Sequence, residues 1–203
     1  MTIDEIMRAA PVIPVLVLEE EMDWAALAET FVAAGLRVLE VTLRTHFALD
    51  AIRHMSRIDG AIVGAGTVLN EDQLGQALDA GSKFIVSPGL TGPLGNAVVR
   101  CAAPFLPGVA NTGDIMRGLD LGLDRFKFFP AEASGGIPTL TALAAVFRNV
   151  RFCPTGGIRL ETAREWLALP SVLCVGGTWF VKPGDDLATI GERARAAAAL
   201  ATG

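Results

Sequence analysis

The sequence predicts a (β/α)₈ barrel, a TIM barrel, with an additional N-terminal helix, and three observations carry that expectation. Eight short apolar runs recur along the chain, and each is followed by a longer amphipathic segment. Strands that alternate with helices form parallel sheets. The chain has 203 residues, which suits a single domain spanning 1–203 and is compact beside the about 250 residues of a typical barrel of this kind. The competing arrangement of the same units is an open, doubly wound sheet.

The elements follow in order. MTIDEIMRAA reads as the opening helix, with Thr2 as its N-cap. PVIPVLVL (11–18) is the first strand. MDWAALAETFVAAG is a helix that starts near Asp23 and ends at Gly35, where a glycine accepts the left-handed C-terminal turn. LRVLEVTL (36–43) is the second strand, with a helix over FALDAIRHMSRI. AIVGAG (61–66) is the third, with a helix over 70–81. KFIVS (83–87) is the fourth, with a helix over 92–102, and PFLPGV (104–109) the fifth, with a helix over 112–122. RFKFF (125–129) is the sixth, with a helix over 138–148. VRFCPTG (150–156) is the seventh, followed by RLETAREWLAL, and SVLCVGG (171–177) is the eighth, followed by GERARAAAALA as the closing helix.

Composition narrows the chemistry. Hydrophobic residues make up 51% and charged residues 19%, an excess of small aliphatics that suits a large dry core. The net charge of −5, with no long basic patch, speaks against nucleic acid as a partner. The N-terminus carries acids among its apolar residues, unlike a signal peptide, and no apolar run reaches the about 20 residues of a membrane span. Three cysteines without CxxC spacing read as reduced thiols, so the expected compartment is the cytoplasm. Cys153 and Cys174 fall in strands and read as core. His46 and His54 are the only histidines and read as packing or surface residues, so no metal is expected. Tyrosine is absent, and lysine occurs only as Lys83, Lys127 and Lys182.

In such a barrel the site lies where strands end and βα loops begin. Alternation along the second strand puts Glu40, Thr42 and Arg44 on the inward face and Leu39, Val41 and Leu43 on the helix-facing side. A carboxylate and a guanidinium there read either as an acid/base beside an anion clamp or as a structural Glu–Arg pair. Lys127 interrupts an aromatic run in the sixth strand. Desolvation favours a neutral, nucleophilic amine; the bland alternative is a lysine held by a carboxylate. Lys83 opens the fourth strand, at the opposite end, and Lys182 follows the eighth at the surface, so position selects Lys127. GAGTVLN and Ser87-Pro88-Gly89 read by themselves as turns. Two glycine pairs, Gly156-Gly157 after Thr155 and Gly176-Gly177 before Thr178, end the seventh and eighth strands. Barrels often bind phosphate there, through bare N–H groups near helix N-termini.

The segments VLEVTLRT, IVGAGTVLN, VSPGLT, DRFKFFPAE, FCPTGGI and VGGTWFV closely resemble the bacterial 2-keto-3-deoxy-6-phosphogluconate and 4-hydroxy-2-oxoglutarate aldolases, over about residues 11–182. The resemblance implies a class I aldolase of the Entner–Doudoroff pathway, needing neither metal nor cofactor and assembling as a homotrimer. Its substrates would be a phosphorylated keto acid and the aldehyde phosphate it yields, and also 4-hydroxy-2-oxoglutarate. It makes Lys127 the Schiff-base lysine and Glu40 the acid/base. Arg44 and Thr67 match the contacts to the pyruvate carboxylate, Pro88 the turn lining that pocket, and Phe129 an aromatic beside it. Gly156, Gly157, Gly177 and Thr178 match the phosphate loops; relatives often carry Ser where Thr178 stands, and the hydroxyl is kept. Thr155 matches the residue linked to configuration at C4, and a threonine there favours the gluconate substrate. Two other readings remain: a phosphate-binding barrel isomerase or epimerase without a Schiff base, and a non-catalytic binding protein.

Overall fold

The structure is a computed structural model that describes residues 1–200. The order is α1 (Ile3–Met7), β1 (Val12–Leu16), α2 (Trp24–Ala33), β2 (Val38–Thr42), α3 (Ala48–Met55), β3 (Ile62–Gly66), α4 (Glu71–Asp79), β4 (Ile85–Ser87), α5 (Gly92–Arg100) and β5 (Phe105–Val109). It continues with α6 (Thr112–Asp120), β6 (Arg125–Phe128), α7 (Gly136–Val146), β7 (Arg151–Pro154), α8 (Leu160–Leu167), β8 (Val175–Gly177) and α9 (Leu187–Ala198). All strand pairs are parallel, in the order β7-β6-β5-β4-β3-β2-β1-β8. The bridges Phe152↔Val172 and Thr155↔Gly176 bring β8 back to β7 and nearly close the barrel, which disposes of the open doubly wound sheet.

Most expected elements are present, with ends trimmed by local bonding. Thr2 and Glu5 form a reciprocal capping box on α1, and Asp23 accepts from the Ala26 N–H at 3.0 Å to start α2. Gly35 has φ +92°, the left-handed turn that ends α2. The eighth strand is shorter than 171–177. Ser171–Cys174 run beside β7 as a separate piece, joined by Phe152 N–H to Ser171 O (2.8 Å) and Leu173 N–H to Phe152 O (3.1 Å). Cys174 therefore lies just before β8 rather than in it. The last helix starts at Leu187, a turn earlier than expected, because the Asp186 carboxylate caps the Thr189 N–H at 2.8 Å. The final residue of the expected closing helix, Ala201, lies outside the described residues.

Two apolar cores result from the alternation. Leu39, Val41, Phe126 and Phe128 join the layer between strands and helices, while Ile13, Val38, Ile62, Val86 and Leu106 fill the lower barrel interior. Ile6 and Met7 of α1 belong to this interior cluster and close its floor; burying such side chains contributes about 1.5–3 kcal/mol each. Asp4 anchors the plug by accepting from Arg8 (2.7 Å) and Arg125 (2.6 Å). These bonds, Arg8 first, hold its carboxyl below the usual carboxylate range. With the floor plugged by hydrocarbon, polar side chains can converge only at the other end.

Candidate active site

Glu40 and Lys127 meet at that other end. Lys127 Nζ donates to Glu40 Oε1 at 2.9 Å and to Oε2 at 3.2 Å, and the two residues are 4% and 3% exposed. Of the two alternatives weighed for the lysine, the structure shows the one held by a carboxylate, with both groups at the inner mouth of the barrel. The Lys127 ammonium also lies 5.3 Å from the centroid of the Phe129 ring, within cation–π range. A buried pair of this kind is a poor stabiliser, because desolvating two charges consumes most of their attraction.

Gly66 makes the contact possible. A Cβ on Gly66 would collide with the Glu40 carboxylate and, at 2.7 Å, with its Cγ. Thr42 stands opposite Gly66 in the β2–β3 register, so Glu40 leans two residues along its strand to reach the gap. Sequence reasoning treated this glycine as part of an ordinary turn. The signal was its inward parity on β3, one strand away from the inward carboxylate.

Arg44 does not pair with Glu40. Strand β2 stops at Thr42, and Arg44 lies beyond it, exposed, with Nε donating to Thr67 Oγ1 at 3.2 Å. Thr67 has φ +58°, a backbone conformation that threonine rarely adopts. Strained residues of this kind gather at functional sites. Pro88 closes the next sector: its carbonyl lies where Gly108 would carry a Cβ, and Ser87 Oγ donates to Gly89 O at 2.6 Å behind it.

The two glycine loops lie side by side, because Thr155 and Gly176 are bridge partners. Thr155 is buried, its Oγ1 filling the space of an absent Gly176 side chain. Ala131 N–H donates to Thr155 O at 2.8 Å and Glu132 N–H to Gly156 O at 3.1 Å. Since a trans peptide points its C=O and N–H in opposite directions, the N–H groups of Gly156 and Gly157 are aimed away from that ladder. The Gly157 N–H has no acceptor among the described residues, whereas the Gly156 N–H faces β8, where the Thr155–Gly176 bridge directs it towards Gly176 O. A free backbone N–H in a glycine turn close to a helix N-terminus suits an anion. Gly156 and Gly157, at φ +102° and +82°, adopt backbone conformations open chiefly to glycine. The helix-terminus expectation holds only here. α8 begins at Leu160, close to Gly157, whereas residues 178–186 separate Gly177 from α9. Trp179 packs where Gly177 lacks a side chain, and Thr178 is exposed next to it.

The remaining candidates fall where expected. Lys83 is exposed at the N-terminal end beside Met1 and Arg37, and Lys182 is exposed beyond β8. His46 lies against Phe47, ring centroids 3.8 Å apart, and His54 lies 5.5 Å from Trp24. Cys153 and Cys174 are buried, and burial followed by a hydrogen bond with Cys153 pushes the Cys174 thiol well above its ordinary value, leaving it unreactive. A recess of about 340 Å³ opens between Glu19–Met22 and Val181–Asp185. Its wall of Glu19, Glu20 and Glu21 against the single Lys182 is unsuited to an anion. Among the described residues no three His, Cys, Asp or Glu side chains cluster as a metal site requires, and no helix is long and apolar enough to cross a membrane.

A parallel eight-stranded barrel with an amine and a carboxylate in buried contact at the C-terminal ends of its strands has the build of a barrel enzyme for carbonyl chemistry. The family model described as "KDPG and KHG aldolase" matches residues 3–192, and the chain belongs to that family. It is 59% identical over 199 residues to the 2-dehydro-3-deoxy-phosphogluconate aldolase of Zymomonas mobilis, covering 98% of this chain and 96% of that one. It is 50% identical over 185 residues to the KHG/KDPG aldolase of Escherichia coli K12, covering 91% and 86%. The crystal structure of the Z. mobilis aldolase with 3-phosphoglycerate superposes with a TM-score of 0.95 at 58% identity, over 98% of this chain and 96% of that one. A Legionella pneumophila KDPG aldolase, with pyruvate captured at low pH as a covalent carbinolamine intermediate, gives 0.92 at 42% identity over 98% and 99%.

Proposed function

We propose that this chain is a class I lyase that cleaves 2-dehydro-3-deoxy-6-phosphogluconate to pyruvate and glyceraldehyde 3-phosphate, and 4-hydroxy-2-oxoglutarate to pyruvate and glyoxylate. The observation that carries the reading is the 2.9 Å contact between Lys127 Nζ and Glu40 Oε1 at the barrel mouth. The names of the Z. mobilis and E. coli relatives support the two substrates, and the carbinolamine captured in the L. pneumophila relative supports a covalent route.

The chemistry follows from the pair. Passing one proton from Lys127 to Glu40 converts two buried charges into a neutral amine and a neutral acid, so no uncompensated charge is created. The amine adds to the C2 carbonyl, Glu40 returns its proton as the carbinolamine loses water, and an iminium remains. Glu40 then takes the C4 hydroxyl proton. The C3–C4 electron pair moves into the iminium, the aldehyde leaves, and a pyruvate enamine stays on Lys127. Glu40 protonates C3, and water hydrolyses the imine to release pyruvate. Arg44 and Thr67 bind the keto-acid carboxylate and thereby aim C2 at the amine, with Pro88 and Phe129 as walls. The Gly156–Gly157 turn, through the free Gly157 N–H, holds the phosphate with Gly177 and Thr178. Thr155 directly follows β7, two residues beyond Lys127's register partner Cys153, where its hydroxyl can select the C4 configuration. Borohydride reduction with pyruvate is expected to fix one adduct on Lys127, located by mass spectrometry; no cleavage and no trappable adduct would favour the isomerase or epimerase reading.

The chain acts as one domain, residues 1–203, and we place it in the cytoplasm, where free Cys101, Cys153 and Cys174 stay reduced. We also propose a homotrimer. Val99 on α5 and Met116 and Leu119 on α6 leave large apolar side chains exposed on neighbouring helices, as a subunit interface requires. Light scattering is expected to give three times the chain mass, and a monomeric mass would overturn this.

A further inference from the structure

The residue behind the glycine turn is Glu132. Its backbone N–H donates to Gly156 O at 3.1 Å, the bond that turns the Gly157 N–H outward. Its side-chain stem fills the space beside Gly157, where a Cβ would meet Glu132 Cβ and Cγ at 2.7 and 2.6 Å. Its Oε1 accepts from Trp166 Nε1 at 3.2 Å. Trp166 is 1% exposed on α8 and packs 6.3 Å from the Phe128 ring on β6. The buried indole is thus a fixed post, and the only polar atom it offers is spent on this carboxylate. Glu132 follows Lys127 by five residues, while Trp166 belongs to the helix that follows the glycine turn, so one hydrogen bond ties the two segments together above the strand ends.

We propose that Glu132, latched by the Trp166 indole, is the positioning residue that holds the Gly156–Gly157 turn in its anion-binding shape. The inference rests on the phosphate reading of that turn. Without the latch the stem leaves Gly157, and two glycines at positive φ gain freedom that the bound phosphate must then remove. 4-Hydroxy-2-oxoglutarate carries no phosphate and does not use the turn. Misplacing a binding group by about 1 Å can cost about 100-fold.

The test measures kcat and KM on both substrates for the full-length wild type, Glu132→Ala, Glu132→Gln, Trp166→Phe and Thr178→Val. Glu132→Ala and Trp166→Phe are expected to raise KM for the phosphorylated substrate by about 10–100-fold, with a much smaller change for 4-hydroxy-2-oxoglutarate. Glu132→Gln keeps a stem and an acceptor for the indole and is expected to stay near wild type. Combining Glu132→Ala with Trp166→Phe should cost no more than either alone, since both break one bond. Equal losses on both substrates, a wild-type Glu132→Ala, or a Glu132→Gln as poor as Glu132→Ala would each overturn the latch. Thr178→Val separates the two ideas, because it removes a phosphate contact without touching the latch. If Thr178→Val discriminates between the substrates and Glu132→Ala does not, the latch fails and the phosphate reading stands. If neither does, both fall.

Discussion

Lys127→Arg is expected to leave a folded barrel that does not turn over either substrate. Arginine keeps a positive charge opposite Glu40, so the carboxylate retains a partner. Lys127→Ala would instead strand a buried charge at a cost of about 3–5 kcal/mol, confusing loss of chemistry with loss of fold. A guanidinium is never neutral in a protein and cannot add to a carbonyl to form an imine. Removing a covalent nucleophile acts on the scale of about 10⁴-fold or more. The extra bulk of arginine in a well-packed site costs stability of about 1–3 kcal/mol, so circular dichroism and a melting curve accompany the kinetics. Appreciable cleavage by this variant, or a borohydride adduct still forming elsewhere on the chain, would remove Lys127 from the mechanism.

Position along the strand, not mere abundance, made the lysine legible. Lys127 is flanked by Phe126 and Phe128, which the helices claim, so alternation leaves it no direction but inward. The same rule turned Glu40 inward between Leu39 and Val41. What alternation cannot supply is the partner across the barrel. Glu40 and Lys127 are 87 positions apart, and the nearer candidate, Arg44, lay on the same strand face in the sequence. The strand ends at Thr42, so the face on which Arg44 was counted does not continue to it, and the guanidinium turns to Thr67 instead. Gly66 escaped notice because its role is the absence of a side chain in a space that only the folded barrel defines. Glu132 and Trp166 escaped for a related reason: one looks like a solvated acid in a loop and the other like a core aromatic, and only their 3.2 Å contact gives them a shared task. The shortened β8 was hidden too, because SVLCVGG is a continuous apolar run whose break shows only in its pairing with β7.

Glu40→Gln is expected to form the pyruvate imine slowly and to lose proton transfer. Glutamine is nearly isosteric and its carbonyl still accepts a hydrogen bond from Lys127 Nζ, so the geometry survives while the group that takes and returns protons does not. Losing a positioned acid/base typically costs about 10²–10⁴-fold. Deuterium exchange at the pyruvate methyl group isolates the step, because exchange needs imine formation followed by proton removal at C3 and involves no carbon–carbon cleavage. Adduct trapping on the same variant shows whether the imine is still made. A second substitution reaches the same proton from the other side. Gly66→Ala leaves the carboxylate chemically intact but puts a methyl group where it sits, so Glu40 must swing away from Lys127. If Glu40 moves the C3 proton, both variants lose exchange, with Glu40→Gln the more severe, since a displaced carboxylate can still visit its place. Exchange at the wild-type rate in Glu40→Gln would rule Glu40 out as the base. Wild-type exchange in Gly66→Ala alone would show that the carboxylate works from a position other than the gap beside Gly66.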